Sequence, residues 1–264
     1  MTEKIAIVTG GTSGIGLCTA AALAEKGCRV YTFSRRESDD ARFTHMVVDV
    51  TDESAVDAAV KQVAEKEGRV DIVVNCAGFG ISGAIEFTEL ADAKRQFDVN
   101  FFGMVNVNKA VLPIMREQKS GRIVNISSVA GAVAIPFQAY YSASKSAINS
   151  YTCALVNEVR PYGVTVCAVQ PGDIKTNFTA VRDKSAKGDD AYGGRIERSV
   201  AKMEHDEQTG MDPADAGKFI CDVALKDSVK PIYTIGLVYQ LECLLIRILP
   251  KRWLYKLIYN MYAK

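Results

Sequence analysis

Short runs of aliphatic and β-branched residues recur at 4–9, 29–33, 44–49, 70–75, 122–127, 164–169 and 232–236, with longer, partly charged stretches between them. Runs of five or six residues that are apolar at successive positions are the pattern of strands buried on both faces. The intervening stretches repeat with helical spacing. Residues 52–67 place Ala55, Val56, Ala59, Val60 and Val63 along one side with charges on the other. Residues 141–160 carry a stripe of Ile148, Tyr151, Leu155 and Val159, ending where Pro161 has no backbone N–H to continue the ladder. Strands alternating with helices call for parallel pairing and crossover connections, so the pattern predicts an α/β fold: one doubly wound parallel sheet of about seven strands with helices on both faces. A ligand crevice is then expected at the carboxyl ends of the strands.

Residues 1–236 read as a single catalytic unit. Within it, 177–210 is glycine-bearing and highly charged, which fits a lid over the crevice better than core. The tail at 237–264 has another character. It is apolar at Leu241, Leu244, Leu245, Ile248 and Leu249, is broken by Pro250, and is apolar again at Trp253, Leu254, Leu257, Ile258 and Met261, with Arg247, Lys251, Arg252, Lys256 and Lys264 interspersed. Two amphipathic helices of this kind lie in a membrane interface as peripheral anchors, or cover their own or a partner subunit; both readings stand at this stage. The segment is too interrupted to span a bilayer.

Composition narrows the class. The 264 residues are 48% hydrophobic and 24% charged, enough for a sizeable core. A net charge of +1 provides no field for nucleic acid, so none is expected as a partner. Seven cysteines without a Cys-x-x-Cys point to a reducing, cytoplasmic compartment. The first strand begins only a few residues after Met1, which leaves no room there for a signal peptide. The two histidines, His45 and His205, are not clustered with other ligands, and no metal is expected.

Candidate chemistry sits at the strand ends. The first predicted strand runs into Thr9-Gly10-Gly11-Thr12-Ser13-Gly14-Ile15-Gly16 and then a helix. That order makes a phosphate cradle, because glycines let the backbone approach a pyrophosphate and the helix start presents free N–H groups. Farther along, Tyr141 and Lys145 stand four apart on a predicted helix, with Ser128 upstream. A phenol and an ammonium on one helical face, plus a hydroxyl, can surround one carbonyl. The nearby cation is expected to lower the phenol from its usual pKa of about 10. Ser127, Tyr140, Ser142 and Ser144 compete for these roles by residue type, but Tyr140 would have Ser144 at i+4 in place of a lysine.

These motifs resemble the short-chain dehydrogenase/reductase family over nearly the whole chain, in the order Thr9-Gly-x-x-x-Gly14-x-Gly16, Asn75-Cys-Ala77-Gly78, Asn100, Ser128, Tyr141, Lys145 and Pro171-Gly172 with Thr176. Cys76 departs from the pattern where many members carry a second asparagine. The resemblance implies a Rossmann-type fold and hydride transfer between a nicotinamide and a carbonyl or alcohol. It assigns Tyr141 as proton donor and Ser128 as hydrogen-bond donor to the reacting oxygen. Lys145 would tune the tyrosine and hold the nicotinamide ribose, and Asn100 would hold a relay water. Cofactor contacts carried over are Thr9, Gly10, Thr12, Ser13, Gly14, Ile15, Gly16, Ser34, Arg35, Arg36, Asp49, Val50, Asn75, Ala77, Gly78, Tyr141, Lys145, Pro171, Gly172, Ile174 and Thr176.

NADP(H) is the expected cofactor, because Ser34-Arg35-Arg36 after the second strand offers cations to a 2′-phosphate before any acid occurs at Glu37. By the same resemblance, Phe79, Val133, Ile135, Phe137 and Phe178, with Ser128 and Tyr141, are expected to wall the substrate pocket, whose apolar character suits a lipophilic alcohol or ketone. Local segments are similar to hydroxysteroid and retinol dehydrogenase members. A 3-oxoacyl thioester reductase and a non-catalytic nucleotide sensor are the alternatives. The family further implies a homodimer or homotetramer.

Overall fold

The computed structural model describes residues 3–264. Nine strands and ten α-helices follow in chain order. The strands are β1 (Ile5–Thr9), β2 (Arg29–Ser34), β3 (Thr44–Val47), β4 (Ile72–Asn75), β5 (Ile81–Ser82), β6 (Gly121–Ile126), β7 (Val164–Gln170), β8 (Asp183–Lys184) and β9 (Ile232–Thr234). The helices are α1 (Gly14–Glu25), α2 (Glu53–Glu67), α3 (Leu90–Phe97), α4 (Gly103–Gln118), α5 (Ala139–Val159), α6 (Phe178–Val181), α7 (Arg195–Gln208), α8 (Pro213–Leu225), α9 (Leu237–Ile248) and α10 (Lys251–Tyr262). Seven strands form one all-parallel sheet in the order β3-β2-β1-β4-β6-β7-β9, as the hydrophobic pattern predicts.

The two-residue alternation of β1 explains why the sheet needs cover on both sides. Ile5 and Ile7 join a core with α2, α4 and α5, including Val56, Val60, Val107, Val111 and Leu155. Ala6 and Val8 join a second core with α1 and α8, including Leu23 and Ile220. Helix limits follow local chemistry: Asp52 caps α2 by accepting from Ala55 N at 3.0 Å, and Gly68 ends it with φ 73°. Strand order reverses at β1, which pairs with β2 on one side and β4 on the other. Register aligns Thr9 with Asn75 and Asn75 with Asn125, so these strands finish level and the chain departs into a shared crevice.

The stretch read as a lid is built rather than bare. β8 pairs with β5, and Ile196, Val200 and Met203 of α7 form a third small core with Ala84, Phe137 and Ala263. The tail forms the two expected helices, with Pro250 at their junction. Among the described residues no helix is long and apolar enough to cross a membrane.

Candidate active site

The crevice contains a cavity of about 1210 Å³ that runs from the turn after β1, past Tyr141, to the tail helices. Gly10, Thr12, Ser13, Gly14, Ile15 and Gly16 line its first end. Ser13 stands at the N-cap of α1 in extended conformation, and its side chain does not cap the helix; the first turn holds no acidic residue. The N–H groups at this helix start are thus open to an anion. A Cβ on Gly16 would lie 2.3 Å from the Gly10 carbonyl oxygen, so only glycine allows helix and turn to approach this closely. These features fit the pyrophosphate of a dinucleotide. Thr9 is placed differently from the turn it precedes: its Oγ1 accepts from the N–H groups of Cys76 and Ala77, each at 3.1 Å, and ties the end of β1 to the end of β4.

Midway along the cavity, Ser128, Tyr141 and Lys145 line the wall together. Helix α5 sets the last two one turn apart, with the Lys145 Nζ 5.6 Å from the centre of the Tyr141 ring. Nζ donates to the Ile126 carbonyl at 2.9 Å, which carries the ammonium across to the end of β6. Lys145 is only 6% exposed, and burial lowers its pKa to about 8. The phenol moves the other way. Burial pushes Tyr141 up to about 12, against the lowering influence of a hydrogen bond with Ser128 and of the Arg182 cation. Desolvation therefore outweighs the effect expected of a neighbouring lysine. Asn100 sits in a π-helical turn (Asp98–Phe102) and is buried. Its Oδ1 accepts from Phe79 N at 3.0 Å, and its Nδ2 donates to Phe79 O at 3.0 Å and Ser144 Oγ at 3.2 Å. The amide thus clamps the loop after β4.

The family model described as short chain dehydrogenase matches residues 4–187. The chain belongs to the short-chain dehydrogenase family. It is accordingly an oxidoreductase of the kind that uses a nicotinamide cofactor. A relative named 3-ketodihydrosphingosine reductase, from Bacteroides thetaiotaomicron, is 42% identical over 229 residues, covering 86% of this chain and 85% of that protein. A short-chain dehydrogenase from Streptomyces avermitilis superimposes with a TM-score of 0.84 at 29% identity, over 94% of this chain and 92% of that one. ElxO, solved with NADP bound, does so with a TM-score of 0.77 at 27% identity, over 90% and 99%.

Several expected contacts of this dehydrogenase lie elsewhere. Asn75 turns inward, where its Nδ2 donates to Asn108 Oδ1 at 2.8 Å and Asn125 Oδ1 at 2.9 Å, because strand register sets the asparagines side by side beneath the crevice. Val50 is buried against Gly103, and Asp49 accepts from Thr51. Phe79 does not line the cavity; its ring lies under Arg95. Phe137 is drawn into the small core around α7, against Tyr192. Of the predicted pocket residues, Val133, Ile135 and Phe178 line the cavity, and the Phe178 ring stands 5.7 Å from that of Tyr141. After β2, Arg36 rather than Arg35 reaches the cavity wall and donates to Ser13 Oγ at 3.2 Å, while Ser34 Oγ donates to Arg36 O. Cys76 lines the wall as a thiol that burial pushes up to about 12, hence an inert filler.

Pro171, Gly172, Ile174 and Thr176 form the opposite lip, and here the tail contributes unexpectedly. Tyr239 of α9 lies flat on Gly172, where a Cβ would stand 2.2 Å from the ring, and its hydroxyl donates to Asp173 Oδ2 at 2.6 Å. Glu242, Leu245, Leu249 and Leu257 continue the same wall. Lys202, Met203 and Asp206 of α7 face them. A buried arginine also stands near the site, which apolar patterning gave no reason to expect. Arg182 pairs with Glu207, whose other oxygen accepts from Thr179 at 2.5 Å.

Proposed function

We propose that the chain is an NADPH-dependent reductase of the ketone of a long-chain lipid, of the type of 3-ketodihydrosphingosine. The observation that carries this reading is the continuity of the cavity: one end is a glycine cradle, the middle holds Tyr141, Ser128 and Lys145, and the far end is walled by Val133, Ile135, Leu245, Leu249 and Leu257. A polar reacting centre beside apolar walls that also carry Asp173, Lys202, Asp206, Glu207 and Glu242 matches a ketone next to a charged group on a hydrocarbon chain. The 42% identity to a reductase named for that substrate supports the same choice over a hydroxysteroid. Asp173 and Glu242 line the chamber, and burial raises the pKa of each carboxyl. An amine beside the ketone would relieve both.

The cofactor, when bound, supplies the hydride. Gly14, Ile15 and Gly16 would hold its pyrophosphate, Arg36 with Arg35 and Ser34 its 2′-phosphate, Ala77 and Gly78 its ribose side, and Pro171, Gly172, Ile174 and Thr176 its carboxamide end. Ser128 donates a hydrogen bond to the substrate oxygen, and Tyr141 gives that oxygen its proton as it becomes an alkoxide. A phenol raised to about 12 remains protonated at working pH, which is the form reduction needs. Lys145 holds positive charge beside it.

Two measurements test the assignment. With NADPH, 3-ketodihydrosphingosine is expected to give a kcat/KM at least about tenfold above ketosteroids, acetoacetyl thioesters and the same ketone lacking its amine, since a buried pairing with a charged group contributes about 1.5–3 kcal/mol. A higher value for a ketosteroid or a thioester overturns the lipid reading. Changing Arg36 to Asp, or Arg35 to Asp, should lower the ratio of kcat/KM for NADPH to that for NADH by about tenfold or more. If neither variant changes the ratio, the preference for the phosphorylated cofactor is withdrawn.

A further inference from the structure

We propose that α9 and α10 dock the enzyme on an anionic membrane surface, with the mouth of the cavity facing the lipid. α9 is held through Tyr239 on Gly172 and Asp173, and α10 packs on the body through one side. Leu254 and Ile258 are buried, Ala263 packs into the small core around α7 with Ile196 and Met203, and Arg195 donates to the Ala263 carbonyl at 3.4 Å. Held this way, the pair cannot turn its other side inward. That side carries Leu241, Leu244, Ile248, Trp253, Leu257 and Tyr259, with Ile248 69% and Trp253 70% exposed. Apolar side chains exposed together in such number mark an interaction surface.

Charge selects the occupant. Within residues 237–264, Arg247, Lys251, Arg252, Lys256 and Lys264 are all exposed, and Glu242 is the one acid of that segment. Among the described residues none of the five is paired with a carboxylate. A two-fold dimer through this patch would set the same excess of cations against itself. A leaflet of acidic phospholipid instead meets apolar side chains with hydrocarbon, the tryptophan and tyrosines with the headgroup layer, and the cations with phosphate and carboxylate.

The placement of the mouth adds a reason for docking here. Leu245, Leu257 and Met261 belong to both surfaces, lining the cavity while remaining 43%, 51% and 42% exposed. A hydrocarbon chain can pass from the bilayer into the chamber along these three residues without crossing water. This last step rests on the lipid-ketone reading; the docking does not.

Trp253 is the only tryptophan in the chain, so its fluorescence reports the face directly. Full-length protein is mixed with vesicles of phosphatidylcholine alone or enriched in phosphatidylserine, then followed by sedimentation and by quenching with brominated lipid. Binding at least about tenfold tighter to the anionic vesicles, weakened by salt, with a blue shift and quenching of Trp253, is expected. Lys251→Glu with Arg252→Glu should lower that affinity at least about tenfold while melting temperature and turnover of a water-soluble ketone stay unchanged. If that variant does not fold, the salt titration of the unaltered chain decides. Equal or absent binding to both vesicles overturns the proposal. So does a dimer in solution, dissociated by the same two substitutions, in which Trp253 is already buried. Docking without turnover of 3-ketodihydrosphingosine leaves this surface standing and removes the substrate assignment instead.

Discussion

Tyr141→Phe is expected to reduce kcat for ketone reduction by about 10²–10⁴-fold, the usual contribution of a positioned general acid. The substitution removes one oxygen from a ring held against Phe178 at 5.7 Å, and the ring itself stays, so melting temperature and NADPH affinity should change little. Tyr140 is the internal control. It does not line the cavity, and no lysine lies one turn beyond it, so Tyr140→Phe should leave kcat within about twofold, within the range of a surface change. Equal losses in the two variants would remove Tyr141 from the chemistry. The pH behaviour gives a second check. Burial raises the phenol to about 12, so the reduction rate should show no limb from this group between pH 6 and 9. The sequence predicted a shift in the opposite direction, and the reason for the difference is geometric. Lys145 Nζ lies over the ring and donates to the Ile126 carbonyl, while burial of the phenol oxygen sets the direction of its shift.

Strands and helices were legible because each follows from local pattern. The β1 run, the glycine turn and the α1 face occupy consecutive residues, and both the parallel sheet and the cradle follow from them. What stayed hidden depends on contacts distant in sequence. Asn75 reads as a cofactor contact until strand register sets it beside Asn125 and the α4 residue Asn108. Phe79 and Phe137 read as pocket walls because they are aromatic and near the motifs; yet Asn100 holds the Phe79 backbone, and the small core around α7 takes the Phe137 ring. The tail pattern leaves open a peripheral membrane anchor and a cover for its own or a partner subunit. Its apolar periodicity gives two helices, but only the fold places Tyr239 on Gly172 and Leu245 on the wall of the cavity. One signal was available: Gly172 directly after Pro171 at a strand end marks a close approach by another group, although not which one.

For Lys145 the expected result is a loss of kcat/KM of about 10²-fold or more in Lys145→Met, together with a wild-type profile that declines as pH rises through about 8. Burial depresses the ammonium from its usual 10.5, so the charge beside Tyr141 is present below about pH 8 and is lost above it. Stability follows the reverse sign. The folded state binds this proton less tightly than the unfolded chain does, which costs about 3 kcal/mol below pH 8, and the cost fades as pH climbs from 8 toward 10.5. The charge is therefore kept at the expense of the fold. Lys145→Met relieves the desolvation cost while leaving the Ile126 carbonyl without its donor, a loss of about 1–3 kcal/mol, so the two nearly cancel and the melting temperature should hold. A variant that is inactive yet as stable as wild type, beside an enzyme whose activity falls while this contribution to stability rises, separates a charge kept for chemistry from one kept for structure. A flat profile from pH 7 to 9, with activity retained in the methionine variant, would leave the buried ammonium without a role in turnover.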